Sequence, residues 1–385
     1  ILMLRDNDEV LVSELPTARF FLYYVKRSDL KEECMDLSRI RHDLHEIPEI
    51  GFNEFKTQAY IMSFLNQLSV PYEKVAGTGI LAKWEKVEGP FVLFRADMDA
   101  LPVFEETDVP FKSAHEGFMH ACGHDVHMTI LIGLIERIVT SDLDRNCLFL
   151  FQPAEEGGGG AAKCLSKLEQ YEITEAWALH VNDEFPEGSV YTRAGVLFAS
   201  AFETDCTFKG RSAHVAFYKR GRDAIEGAAD FLQRVYSVDR GDSVLRFGLI
   251  QGGRVRNVVA DSCTLSGTVR TKAFELSEEA IMELEELGRK VAAERNLDFS
   301  QEIGSKYPQV FVDESLYDKL CALVDVNPVE MKYVGEDFGV IALKYPSVLF
   351  WLGTGRGEQH GLHNSRFLPA DSVIEKGVEI LWKIA

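Results

Sequence analysis

The chain has 385 residues, 46% hydrophobic and 26% charged, the balance of a folded globular protein, and its length exceeds what one hydrophobic core serves, so two domains are expected. With 61 acidic against 41 basic residues and a formal charge of −20, it would repel a phosphate backbone, and "YKRGR" (218–222) is too short a basic cluster to change that. Nucleic acid is thereby excluded as a partner, and no apolar run is long enough to span a membrane.

The seven cysteines are scattered and odd in number, set in runs such as "RNCLFLF" and "TDCTFKG", which reads as reduced thiols in a cytoplasm. The opening run "ILMLRDNDEVLV" mixes acids with apolar residues and has no basic start or small-residue cleavage site, unlike a secretory leader. "FKTQAYIMSFLNQL" (55–68) has apolar residues at helical spacing. "FVLFRAD" (91–97), "CLFLFQP" (147–153), "EAWALHV" (175–181) and "SVLFWLG" (347–353) are short apolar runs of the kind that form buried parallel strands. The helical pattern "HDVHMTILIGLIERIV" (124–139) lies between the first two. Alternating strands and helices predict an α/β layer with a mostly parallel sheet. Around residue 197 the pattern changes. It then reads strand (198–210), helix (223–238), strand (243–250), strand (263–271), helix (277–296), strand (298–304), the split βαβ order of a ferredoxin-like insert. The expected domains are 1–196 with 307–385, and 197–306 between them.

In open α/β sheets, ligands sit beyond the carboxyl ends of the strands. Asp97 and Asp99 follow the first strand, Glu155 and Glu156 the second, His180 ends the third, and His363 follows the fourth. Cys122 and His124, in "MHACGHDVHMTI", open the helix after the first strand. Taken singly, His180 is a satisfied polar residue, Cys122 a small buried hydrophobe, the glutamates a solvated acidic turn, and the aspartates helix caps. Five groups of metal-ligand type, Cys122, His124, Glu156, His180 and His363, nevertheless arrive at one end of the sheet from separate segments. A thiolate, imidazoles and a carboxylate suit zinc or another first-row divalent ion better than magnesium or calcium. A spare carboxylate, Glu155 or Glu156, is what metal-assisted hydrolysis requires as proton acceptor. Asp125 and His127 are placed to support the ligands. The glycine run in "EEGGGGAAKCL" lacks the Gly-Lys-Ser/Thr ending of a nucleotide loop.

"RHDLHEIPEIGFNEFKTQAY", "RADMDALP", "MHACGHDVHMTI", "FQPAEEGGGGA", "ALHV", "VGEDFG" and "GLHNSRF" together resemble the two-metal amidohydrolase and peptidase family that includes aminoacylases, carboxypeptidase G and deacylases of lysine biosynthesis. The nearest branch holds N-acetyldiaminopimelate deacetylases and hippurate or indole-acetyl-amino-acid hydrolases. The resemblance spans about 36–385, and residues 1–35 carry none of its motifs. It implies that Cys122 bridges two divalent ions (zinc first, with manganese, cobalt or nickel as alternatives), with His124 and His180 on one and Glu156 and His363 on the other. Glu155 would be the general base and Asp99 the carboxylate that orients a ligand; Asp97 replaces a histidine ligand of other branches. In the insert, which the resemblance makes a lid and dimerisation domain, His214 would reach the substrate carbonyl of a partner subunit and stabilise the oxyanion. Asn257 and Arg270 would hold the substrate carboxylate. Tyr218 stands where the family usually has proline. "AEEGGGGA" is more typical of the broad-specificity hydrolases, while "HEIPEIGFNEFKTQAY" and "VLFWLG" lean toward the diaminopimelate deacetylases. The implied activity is removal of acetyl from N-acetyl-LL-diaminopimelate in the cytoplasm, by a homodimer. A broader N-acyl-amino-acid hydrolase or dipeptidase is the alternative, and a non-catalytic metal- or ligand-binding relative the reading from another class.

Overall fold

The computed structural model describes residues 35–385; residues 1–34, and the part of the first expected domain that falls on them, lie outside the described residues. All the elements belong to the compact unit Leu37–Ala385. In chain order they begin with α1 (Leu37–His45), α2 (Phe55–Gln67), β1 (Tyr72–Val75), β2 (Gly79–Trp84), β3 (Phe91–Asp97), α3 (His124–Val139), β4 (Asn146–Gln152), α4 (Gly160–Leu168), β5 (Ile173–Pro186), β6 (Val190–Thr192) and β7 (Gly195–Phe198). A second group comprises β8 (Ser200–Lys209), α5 (Ala224–Tyr236), β9 (Val244–Gly252), β10 (Ser262–Thr271), α6 (Phe274–Glu294) and β11 (Asp298–Tyr307). The chain then closes with β12 (Val310–Val312), α7 (Glu314–Leu323), β13 (Val326–Pro328), α8 (Gly339–Ala342), β14 (Ser347–Gly355) and α9 (Ser372–Ile384).

The larger sheet has the order β1-β2-β4-β3-β5-β14-β6-β13. Its four central strands, β4, β3, β5 and β14, are mutually parallel. Every residue of β3 and β4 is buried, as their largely apolar runs demand when both faces of a sheet are covered. β1 and β2 form an antiparallel hairpin at one edge, and β6 runs antiparallel to β14. The expected mostly parallel sheet is therefore found in the centre, with antiparallel margins built from short strands that carry little sequence signal. Helix α3 is buried on almost all sides, packed against α1, α9 and β3. Arg41 and His45 of α1 grip Asp125 in its first turn, each at 2.8 Å, and His45 also meets Glu105 at 3.1 Å.

The second sheet is wholly antiparallel, in the order β11-β8-β10-β9, the ferredoxin-like arrangement expected of the insert. α5 and α6 cover one face. Phe202, Phe208, Phe231, Leu265 and Leu284 fill that interface, so the alternate residues of β8 and β10 point away from the helices. The chain enters and leaves this sheet side by side, because β7 pairs antiparallel with β12. Among the described residues no helix is long and apolar enough to cross a membrane.

Candidate metal centre and active-site cleft

The helix start that carries Cys122 and His124 depends on the residue between them. Gly123 is the N-cap of α3 with φ of 82°, and a Cβ there would lie 2.3 Å from Val181 Cγ2 on β5. Only glycine allows this close approach in the left-handed region. Cys122 Sγ consequently lies 3.4 Å from Nε2 of His180 and 3.4 Å from Nε2 of His363. His363 Nε2 is 3.2 Å from Glu156 Oε1. Two triads of ligand atoms result, Cys122–His124–His180 and Cys122–Glu156–His363, each with its atoms within 4.8 Å of one another, and Cys122 is common to both. His363 is held with φ of 65°, a left-handed conformation rare for a side chain of its size.

Hydrogen bonds fix the histidine tautomers. His124 Nδ1 donates to the Asp99 carbonyl and His180 Nδ1 to the Val181 carbonyl, both at 2.8 Å, leaving each Nε2 lone pair facing the cluster. His124 Nε2 is buried with no hydrogen-bond partner, a costly state for a ring nitrogen unless a cation takes its lone pair. Burial resists charging of His124, but Asp97, Asp99 and Glu156 raise its pKa to about 10, so the pocket's field calls for positive charge. The donor set and this field both fit divalent metal. His127 is different: its Nε2 accepts from the Val181 N–H at 2.9 Å, so its Nδ1 donates to Asp97 at 2.6 Å. Both nitrogens are used, and His127 braces the strand beside His180. Asp125 turns away from the cluster toward Arg41 and His45.

The glutamates hang on Asp99. Its two carboxylate oxygens accept the backbone N–H groups of Glu155 at 3.0 Å and Glu156 at 2.9 Å, just after Ala154, which has φ of 51°. Glu155 is buried, and burial together with Glu336, Glu156, Asp337 and Asp99 pushes its carboxyl well above the usual range. Sequence reasoning gave no role to Arg95, Glu336 and Asp337. Arg95 is fully buried and spans Gln152, Asp97, Glu336 and Asp337 at 2.7–3.0 Å, offsetting part of the negative charge in the floor of the site. The signal for it was a charge inside an otherwise apolar strand.

A cavity of about 490 Å³ opens over these groups, lined among others by Cys122, Glu155, Glu156, His180, His363 and, from the second sheet, Arg270. His214 and Asn257 do not line it. They sit together on exposed loops of the second sheet, where the Val215 N–H donates to the Asn257 carbonyl at 3.0 Å. His214 Nδ1 accepts from the Ala216 N–H at 3.1 Å, which leaves its Nε2 to carry the proton outward. Tyr218, in the same loop, is exposed.

Ligand triads sharing a thiol, beside a buried carboxylate at the strand ends of an α/β sheet, are the equipment of metal-dependent amide hydrolysis, and the chain is an enzyme of that class. It belongs to peptidase family M20/M25/M40, whose model matches residues 93–385. The chain is 36% identical over 360 residues to an N-acetyldiaminopimelate deacetylase from Shouchella clausii (strain KSM-K16), covering 89% of this chain and 96% of that protein. Its fold superposes with a TM-score of 0.79 on the Bacillus subtilis YXEP protein, described as a dinuclear metal binding peptidase from the M20 family, at 27% identity over 90% of this chain and 96% of that one. An aminobenzoyl-glutamate utilization protein from Klebsiella pneumoniae shares the fold at a TM-score of 0.69 and 20% identity, over 92% and 96% of the two chains.

Proposed function

We propose that the protein is an N-acetyl-LL-diaminopimelate deacetylase of lysine biosynthesis, releasing LL-diaminopimelate and acetate. The observation that carries the reading is Glu155, a buried carboxylate lining the same cavity as Cys122, Glu156, His180 and His363. The 36% identity to a deacetylase of this substrate directs the choice among acyl amino acids. In this reading Cys122, His124, His180, Glu156 and His363 would hold two divalent ions, zinc first among the candidates, with His124 and His180 serving one, Glu156 and His363 the other, and the Cys122 thiolate available to both. Bound there, the ions would polarise the amide carbonyl and acidify water. Asp99 keeps Glu155 and Glu156 on their two tasks through one backbone clamp. Glu155 takes the proton of the attacking water and returns one to the leaving amine. Arg270 holds the substrate carboxylate at the cavity wall.

Residues 197–306 act as a lid and dimerisation domain on a catalytic domain formed by 1–196 and 307–385. His214 and Asn257, outside the cavity of their own chain, then serve the cleft of a twofold partner, where the outward Nε2–H of His214 steadies the oxyanion and Asn257 helps hold the carboxylate. The enzyme would work as a homodimer in the cytoplasm. The test is acetate release from N-acetyl-LL-diaminopimelate, hippurate and acetyl-methionine by protein loaded with each candidate metal. The proposal expects the highest kcat/KM on the diaminopimelate substrate; a preference for hippurate or acetyl-methionine would make it a broader aminoacylase instead.

A further inference from the structure

The wall of the cavity opposite the metal-ligand cluster is the open face of the second sheet. On β8 Phe202 and Thr204 point into the helices, so Glu203 between them points out. It stands opposite Thr268 on β10, and Arg270 stands opposite Ala201. Glu203 and Arg270 are thus diagonal neighbours on one face, about 7 to 8 Å apart at the backbone. Both line the cavity that holds Cys122, Glu155 and His180.

Glu203 also lines a shallower groove of about 400 Å³ that continues outward along the sheet past Thr268 to Arg246. A bulge in β11 faces it. There Gly304 leaves room that a side chain would take, since a Cβ would lie 3.1 Å from the Glu203 carboxylate, and Ser305 turns toward the Gly157 carbonyl of the glutamate loop. Among the described residues Glu203 makes no close salt bridge, although its negative charge acts on Arg270. Arg270 directs its guanidinium to Thr268 and the Val269 carbonyl, and Arg246 lies over the Tyr236 ring. A carboxylate with no close salt-bridge partner therefore stands beside the arginine assigned to the substrate carboxylate, where the cavity over the ligand cluster meets the outer groove.

We infer that Glu203 is a specificity-determining residue that accepts a free ammonium group at the far end of the substrate side chain, so the cleft selects N-acyl amino acids carrying a second amine. This rests on the reading of the chain as an N-acyl-amino-acid amidohydrolase. It adds the chemistry by which a diamino substrate is told from a monoamino one. Arg246, across Thr268 on the same face, suits a carboxylate next to that ammonium, as an amino-acid terminus would present.

The test compares Nα-acetyl-lysine with Nα-acetyl-norleucine, which has the same chain without the ammonium, on metal-loaded protein. A charge-assisted hydrogen bond of this kind corresponds to about a tenfold to hundredfold preference in kcat/KM for the lysine compound. Glu203→Gln is expected to bring that ratio near one. Glu203→Lys is expected to turn the preference toward Nα-acetyl-2-aminoadipate, whose side chain ends in a carboxylate, a reversal that a merely structural residue would not produce. A ratio unchanged in both variants overturns the inference, even with the deacetylase activity intact. Should no acyl amino acid be hydrolysed, the activity reading fails on its own. Calorimetric binding of lysine against norleucine then decides the pocket: selectivity lost in Glu203→Gln supports it, and equal binding by the unaltered protein overturns it.

Discussion

Replacing Gly123 by alanine adds one methyl group where the geometry is least forgiving. The new Cβ would sit 2.3 Å from Val181 Cγ2, while carbon atoms in contact prefer about 3.5 to 4.0 Å. A shift of about 1 Å or more must be found between the start of α3 and β5, the two segments that carry Cys122, His124 and His180. Overpacking of that size costs about 1 to 3 kcal/mol, and holding alanine at a left-handed φ adds about 1 to 2 kcal/mol. A total loss of about 2 to 5 kcal/mol should appear in urea unfolding of the metal-free protein. Metal affinity should fall as well, because both triads share the displaced thiol. The steric and backbone parts separate in a double-mutant cycle with Val181→Ala, which removes the clashing methyl. The double variant should recover the steric part, leaving a favourable coupling of about 1 to 3 kcal/mol, but not the backbone part. Strict additivity of the two substitutions would refute the account of why glycine stands between the ligands.

Glu155→Gln should lower kcat by about 10² to 10⁴ while metal content, read by elemental analysis, stays near that of the unaltered protein; near-normal turnover would remove Glu155 from the role of base. Burial disfavours charging of His45, yet Asp125 and Glu105 raise its pKa to about 9. Since that exceeds the ordinary value of about 6.5, the stability it contributes, about 3 kcal/mol, is fully present below pH ~6.5 and lost as pH rises through ~9. Unfolding curves across this window should show the decline, and His45→Gln should flatten it. Mixing inactive Glu155→Ala with inactive His214→Ala should restore activity through heterodimers with one competent cleft, whereas continued inactivity after proven subunit exchange would count against a shared site.

Much of this was legible because burial writes itself into short strands. β3, β4 and the helix α3 are buried on nearly every side, so their runs are mainly apolar, broken in β3 by Arg95 and Asp97 and at the start of α3 by His124, Asp125 and His127, and their ends are easily placed. The insert was readable for the opposite reason, since its sheet is covered on one face only and its residues alternate. The strand ends then put Asp97, Glu155, Glu156 and His180 at one rim before any geometry was known. What stayed hidden depends on partners distant in the chain. Arg95 meets Glu336 and Asp337 across 241 and 242 positions, and nothing near it in sequence announces them. The sequence places His127 in support of the ligands, but its partners, the Asp97 carboxylate and the Val181 N–H, lie 30 and 54 positions away in the chain. The left-handed backbone of His363 is likewise imposed by its surroundings, with its N–H tied to the Ala121 carbonyl at 2.8 Å. Glu203 looks like any outward residue of an alternating strand until the fold lays that strand against the metal site.

The central claim is that Cys122 joins two ligand triads into one dinuclear centre. It is tested most directly by anomalous diffraction from crystals of the metal-loaded protein, collected at the absorption edge of the metal supplied. The account predicts two peaks flanking Cys122 Sγ, one against His124 and His180 and the other against Glu156 and His363, about 3.5 to 4 Å apart. A single peak, or peaks held by other residues, would contradict it.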